Sequence, residues 1–114
     1  MAAKYRNKKL VVDGITFDST KEGNRYIDLK ILQKEGIISK LEIQPDFPLE
    51  VNGRPVKIRS PKRPNGTKVK YIADFSYTQD GEYIVEDVKG FDTPLSRLKR
   101  AIVEAIYGIE IKIV

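Results

Sequence analysis

The stretch Tyr71-Ile72-Ala73-Asp74-Phe75-Ser76-Tyr77-Thr78-Gln79-Asp80-Gly81-Glu82-Tyr83-Ile84-Val85-Glu86-Asp87-Val88-Lys89-Gly90 decides how this chain is read. Asp80-Gly81 is a hairpin-turn pair, because a type I′ turn needs positive φ at both central residues. The expected hairpin joins residues 68–78 to residues 82–89. With a two-residue loop, Gln79 faces Glu82 and counting back sets Asp74 opposite Asp87. Lys89 falls on the same face, since strand side chains alternate with a period of two. Directly opposed residues have Cβ atoms roughly 4.5–5.5 Å apart. Two carboxylates at that separation repel unless a cation stands between them, and a divalent metal would resolve the conflict.

The opposite face carries Tyr71, Ala73, Phe75, Tyr77, Ile84 and Val88, an apolar set that should meet the core. Glu86 is its one charged member and needs a polar partner or exit. By the same parity Glu86 lies on the wrong side to share a site with Asp74, so Asp87 is the expected partner. A three-residue loop would reverse that choice, because a one-residue slip flips every side chain.

Working outward, Leu10–Val12 and Ile15–Phe17 flank a second turn pair, Asp13-Gly14. Ser19-Thr20-Lys21-Glu22 matches a capping box, and a helix is predicted from there to about Lys34, ending at Gly36. Two short extended segments follow around Pro45 and Pro48, then an Asn52-Gly53 turn and a strand near Val56–Arg59. Residues 60–67 read as a mobile loop. Thr93-Pro94 starts a second helix as N-cap and first residue, with Leu95, Leu98, Ala101, Ile102, Ala105 and Ile106 at helical spacing. Gly108 ends it, and residues 109–114 alternate as a last strand. The predicted fold is α/β, a central mixed β-sheet flanked by α-helices, in one domain over residues 1–114.

Hydrophobic residues make up 40% of the chain and charged residues 32%, a globular rather than disordered composition. No apolar run approaches the roughly 18–20 residues that span a bilayer, and the basic start has no apolar signal core. A cytoplasmic protein without membrane contact is the expectation. The chain has no Cys and no His. That excludes zinc fingers, disulfide scaffolds and thiol or His-based catalysis. Any metal must be held by oxygen, which favours Mg²⁺, with Mn²⁺ able to substitute.

The net charge is +5, and it is clustered. Seven basic residues and no acidic ones lie between Arg54 and Lys70, including Arg59, Lys62, Arg63 and Lys68. Lys4, Arg6, Lys8 and Lys9 form a second cluster and Arg97, Lys99 and Arg100 a third. Three clusters beside a carboxylate pair point to nucleic acid. Arg97 and Arg100 are expected on the exposed side of the second helix, in reach of phosphate. Gln44 follows an alternating strand and could reach the site.

Ala73-Asp74, twelve intervening residues and Asp87-Val88-Lys89 resemble the PD-(D/E)xK nuclease signature, with Ala73 where that family has proline. Proline carries none of the chemistry. The whole chain is similar to small phage-encoded endonucleases related to Holliday-junction resolvases. Residues bearing that likeness include Phe17-Asp18-Ser19, Gln44-Pro45, Glu86-Asp87-Val88-Lys89-Gly90 and Tyr107-Gly108-Ile109. The resemblance implies a restriction-endonuclease-like core and Mg²⁺-dependent cleavage of branched or otherwise structured DNA. It implies a homodimer, because a four-way junction needs two symmetric cuts. It also implies roles: Asp74, Asp87 and the Val88 backbone carbonyl as metal ligands, Lys89 as the group that orients or deprotonates the water, and Glu22 as a further acid. From the residues alone, Glu22 is the N3 residue of a capping box, and its role as an acid of the site comes from the resemblance. A non-catalytic nucleic-acid-binding module of the same fold is the alternative.

Overall fold

A computed structural model of the chain describes residues 8–114. Lys4 and Arg6 of the N-terminal basic cluster lie outside the described residues. In chain order the elements are β1 (Leu10–Val12), β2 (Ile15–Phe17), α1 (Thr20–Lys34), β3 (Ser39–Ile43), β4 (Asp46–Pro48), β5 (Glu50–Val51), β6 (Arg54–Pro55), β7 (Lys57–Ser60), β8 (Arg63–Lys68), β9 (Lys70–Ile72), β10 (Phe75–Gln79), β11 (Glu82–Asp87), α2 (Pro94–Tyr107) and β12 (Ile111–Ile113). The class is mixed α/β. The largest sheet has the order β12-β11-β10-β3, with β12 parallel to β11. The remaining strands form two-stranded ribbons.

The chain divides into two compact units, one of residues up to Leu41 with Tyr77–Tyr83, the other of Glu42–Ser76 with Ile84–Val114. In the first, the β1–β2 hairpin turns at Asp13 (φ 53°) and Gly14 (φ 77°), the left-handed pair a type I′ turn requires. Ser19 caps α1, its Oγ accepting from the Glu22 N–H at 3.1 Å. Gly23 sits where β1 lies on the helix: a Cβ there would come 2.5 Å from Leu10 Cδ2. Phe17 and Tyr26 pack at 5.0 Å between ring centroids, and the Tyr26 hydroxyl donates to Asp13.

The second unit has its own apolar core of Phe47, Leu49, Tyr71, Ala73, Val85, Val103 and Ile111, with Val56, Val69, Ile102 and Ile109 packed against it. Tyr107 closes one end, its ring edge-on to Phe47 and its hydroxyl donating to the Pro48 carbonyl at 2.7 Å. The Ile111 N–H donates to Glu104 Oε2, tying the start of β12 to α2.

Three sequence expectations are corrected here. Residues 60–67 are not a loop: β7 and β8 form a hairpin, with Lys57 opposite Lys68 and Ile58 opposite Thr67, and a bulge before Ser60 meets Arg63. Gly66 makes this ribbon feasible, since its φ is +87° and a Cβ would lie 2.8 Å from Lys57 Cβ. Second, the predicted strand over 68–78 is three pieces, breaking at Val69 and again at Ala73-Asp74. Third, the apolar stripe of α2 marks the helix but not its buried side. Val103 is the buried residue, whereas Leu95 and Leu98 are 65% and 58% exposed.

Candidate metal and nucleic-acid site

The Asp80-Gly81 loop has two residues, with φ of 53° and 80°, as the dipeptide predicts. Counted from that turn, Phe75 faces Glu86 and Asp74 faces Asp87. Yet the Asp74 N–H donates to the Glu86 carbonyl at 3.1 Å, which belongs to a register one step away. The register therefore slips by one residue where β10 begins, with Asp74 and Phe75 both against Glu86. Asp74 and Asp87 still meet, through main-chain donors. The same N–H also lies 3.1 Å from Asp87 Oδ1, and the Val88 N–H donates to Asp74 Oδ2 at 2.6 Å.

The backbone around the pair is fixed from several sides. The Asp74 carbonyl accepts from the Gln44 N–H at 2.9 Å. The Asp87 carbonyl accepts from the Val114 N–H at 2.9 Å, and the Lys89 N–H reaches the Val114 carbonyl at 3.4 Å. Gln44 itself is exposed and has φ of +54°, an uncommon conformation for a residue other than glycine. Its backbone, not its side chain, is what the structure brings to Asp74.

Asp87 is 2% exposed. Burial pushes its carboxyl above the usual carboxylate range, opposed by the Lys89 charge, the Asp74 N–H and the Arg100 charge. Lys89 Nζ lies 3.6 Å from Asp87 Oδ2, an ion pair rather than a hydrogen bond. Asp87 Oδ2 is thus a buried oxygen with no hydrogen-bond partner. Buried carboxylate oxygens are rarely left so, and an orphan of this kind calls for an explanation. Asp74, Asp87, Val88 and Lys89 are brought together as the spacing predicts.

Glu86 is wholly buried, as its place on the apolar face requires, and it is Asp87 that bonds Asp74. Ser76 and Val85, on the side of Asp87, are buried too. Glu22 is a buried residue of the first unit, its N–H held by Ser19. Among the described residues, no three or more Asp, Glu, His or Cys side chains gather as a metal cage.

Arg100 is not on an exposed face, which corrects the sequence expectation. Its side chain is 12% exposed and grips Asp92 with both ends, at 2.7 and 3.2 Å. That fork raises the Arg100 pKa and holds the Asp92 carboxyl below its usual range. The signal sequence reasoning missed is Asp92 itself, eight residues before Arg100. Arg97 is exposed, and its Nη1 donates to the Asp92 carbonyl at 3.1 Å. Arg59, Lys62, Arg63 and Lys68 are all exposed on the β7–β8 ribbon.

No curated protein and no solved structure matches this chain. One family model does, over residues 2–113, and the chain accordingly belongs to the family described as a protein of unknown function, DUF1064.

Proposed function

We propose that this chain is a metal-dependent DNA endonuclease with a restriction-endonuclease-like core. The observation that carries the reading is the Asp74–Asp87–Lys89 arrangement, in which a buried carboxylate keeps one oxygen without a hydrogen bond. That oxygen, together with a second carboxylate, fits a hard cation. Mg²⁺ is commonly held by one or two carboxylates with waters and phosphate completing the shell. Asp74 and Asp87 would hold it, joined by the Val88 carbonyl that the resemblance adds. When bound, the ion lowers the pKa of a water and offsets phosphoryl charge.

The chain's own groups supply the rest. The main-chain bonds at Asp74 and Asp87 fix both carboxylates before substrate arrives, so little reorganisation is needed. Lys89, 3.6 Å from Asp87, stands beside them to orient the attacking water and offset developing negative charge. Glu22 enters through the resemblance as a further acid. The exposed cations Arg59, Lys62, Arg63 and Lys68 would contact the phosphate backbone, which fixes position without reading sequence. Branched DNA as substrate and a homodimer as the working state come from the resemblance. The exposed apolar side of α2 offers the dimer a surface.

The test is incubation of linear, nicked and four-way-junction DNA with the protein, in Mg²⁺ or EDTA, beside Asp87→Asn. Cutting that needs Mg²⁺ and is lost in the variant is the expected result. Cutting that survives both EDTA and the substitution would refute it. A second reading, a non-catalytic nucleic-acid-binding module, is favoured by the absence of a three-acid group among the described residues. Salt-dependent binding with no cutting under any condition would support that reading instead.

A further inference from the structure

We infer that the groove between β9 and the start of α2 binds a phosphate group of a nucleic-acid strand, beside the Asp74–Asp87 pair. The groove has a volume of about 370 Å³ and lies wholly within the second unit. Three lysines line it, Lys70, Lys89 and Lys99, and no acidic residue does. Lys89 also pairs with Asp87, so one side chain belongs to both places. The first turn of α2, through Leu95 and Ser96, forms another wall. This 14-residue helix has no acidic residue in its first turn, and the acid that precedes its cap, Asp92, is turned to Arg100.

A second, independent observation points to a ligand. Tyr71 lines the groove, its ring is in the apolar core, and its hydroxyl is buried without a hydrogen-bond partner. A polar hydroxyl in that position is unfavourable unless something accepts from it. A phosphate oxygen is an acceptor, carries the charge the three lysines call for, and meets no competing carboxylate in the lining. The nearby acids are already engaged: Asp46 pairs with Lys70 at 3.4 Å, a half-exposed and weak contact, and Asp92 is held by Arg100.

The inference rests on the proposed function for its place next to a scissile bond. Its test is made without metal, so the two fail separately. Amide spectra would be recorded in EDTA with inorganic phosphate, then with a short DNA duplex carrying or lacking a 5′-phosphate. The Tyr71, Leu95 and Ser96 amides should shift with phosphate and with duplex. Equal shifts with both duplexes assign an internal phosphodiester. Shifts confined to the phosphorylated duplex assign a terminal phosphate.

Lys70→Ala with Lys99→Ala should lower the slope of log K against log[salt] by about 0.9, the value for one lost phosphate contact on duplex DNA. Tyr71→Phe should weaken binding about tenfold, the usual scale for a hydrogen bond to a charged group, without lowering the melting temperature. An unchanged slope in the double variant, full binding in Tyr71→Phe, or shifts with inorganic phosphate but with neither duplex would each overturn the inference. Absence of cleavage alone would not.

Discussion

Asp74 and Asp87 hold each other through main-chain hydrogens: the Asp74 N–H reaches Asp87 Oδ1 at 3.1 Å, and the Val88 N–H reaches Asp74 Oδ2 at 2.6 Å. Two acids expected to repel are thereby fixed by groups that carry no formal charge. A charged-assisted acceptor on a backbone N–H is among the stronger hydrogen bonds. The remaining strain falls on Asp87, which is buried and keeps one oxygen unbonded.

Asp87→Asn should therefore abolish Mg²⁺-dependent cleavage while stabilising the fold at neutral pH. The sign follows from its raised pKa. A carboxyl whose folded pKa lies above its unfolded value favours the folded state when protonated. That contribution is full below the unfolded value and is lost as pH rises through the folded one. The gain at pH 7 should be on the order of 1 kcal/mol, the usual scale for relieving a destabilised functional group. It should shrink as pH falls toward the acid range. Thermal melts of both proteins across pH read it directly, and a destabilised Asn variant at neutral pH would refute it.

Asp74→Ala should cost about 1–3 kcal/mol, because the Val88 N–H loses its acceptor in a half-buried place. Asp74→Asn keeps an acceptor oxygen and should recover most of that loss without recovering cleavage. Urea unfolding of the two variants separates the hydrogen bond from the charge. Equal destabilisation by both would show that charge, not the hydrogen bond, is what holds this contact.

The Asp92–Arg100 fork should make the segment after Lys89 sensitive to acid. Asp92 has a lowered pKa, chiefly through its bond to Arg100. Its contribution is present above the unfolded pKa and is lost as pH falls through the folded value. Arg100→Ala and Asp92→Asn should each lower the urea midpoint, and the double variant should lose less than the sum. Additive losses would mean the fork contributes no coupling.

Gly66→Ala should disrupt the β7–β8 ribbon, since φ of +87° strains any L side chain and the new Cβ would meet Lys57. The cost should be about 1–3 kcal/mol for such a backbone conformation. Duplex binding should weaken in parallel with removal of Arg59, Lys62, Arg63 and Lys68, each of which should lower the salt slope by about 0.9 if it contacts phosphate. A salt slope unchanged after all four are replaced by alanine would remove the ribbon from the interface.

Much of this was legible in the residues. Asp13-Gly14, Asn52-Gly53 and Asp80-Gly81 all adopt the left-handed pairs their dipeptides require. Ser19 and Thr93 cap the helices they were read to cap. Tyr71, Ala73, Phe75 and Tyr77 are buried as their pattern predicts, but Ser76 and Val85 of the other face are buried with them. The rest was hidden for identifiable reasons. Pro64, Asn65 and Gly66 are loop-forming residues, yet β8 runs through them because an isolated ribbon needs no central-strand donors. The one-residue slip at Asp74-Phe75 leaves no mark in an alternating pattern. Arg100 turns inward because Asp92 draws it, a pairing that helical periodicity does not register.

The left-handed turn at Gln44 gives the pair of acids an external adjustment point. Gln44 lies at the surface, yet its N–H fixes the carbonyl of Asp74. A change there, to glycine for instance, alters how firmly the main chain beneath the site is held while leaving every candidate ligand in place. Selection acting on an exposed, chemically silent side chain can therefore retune a buried carboxylate.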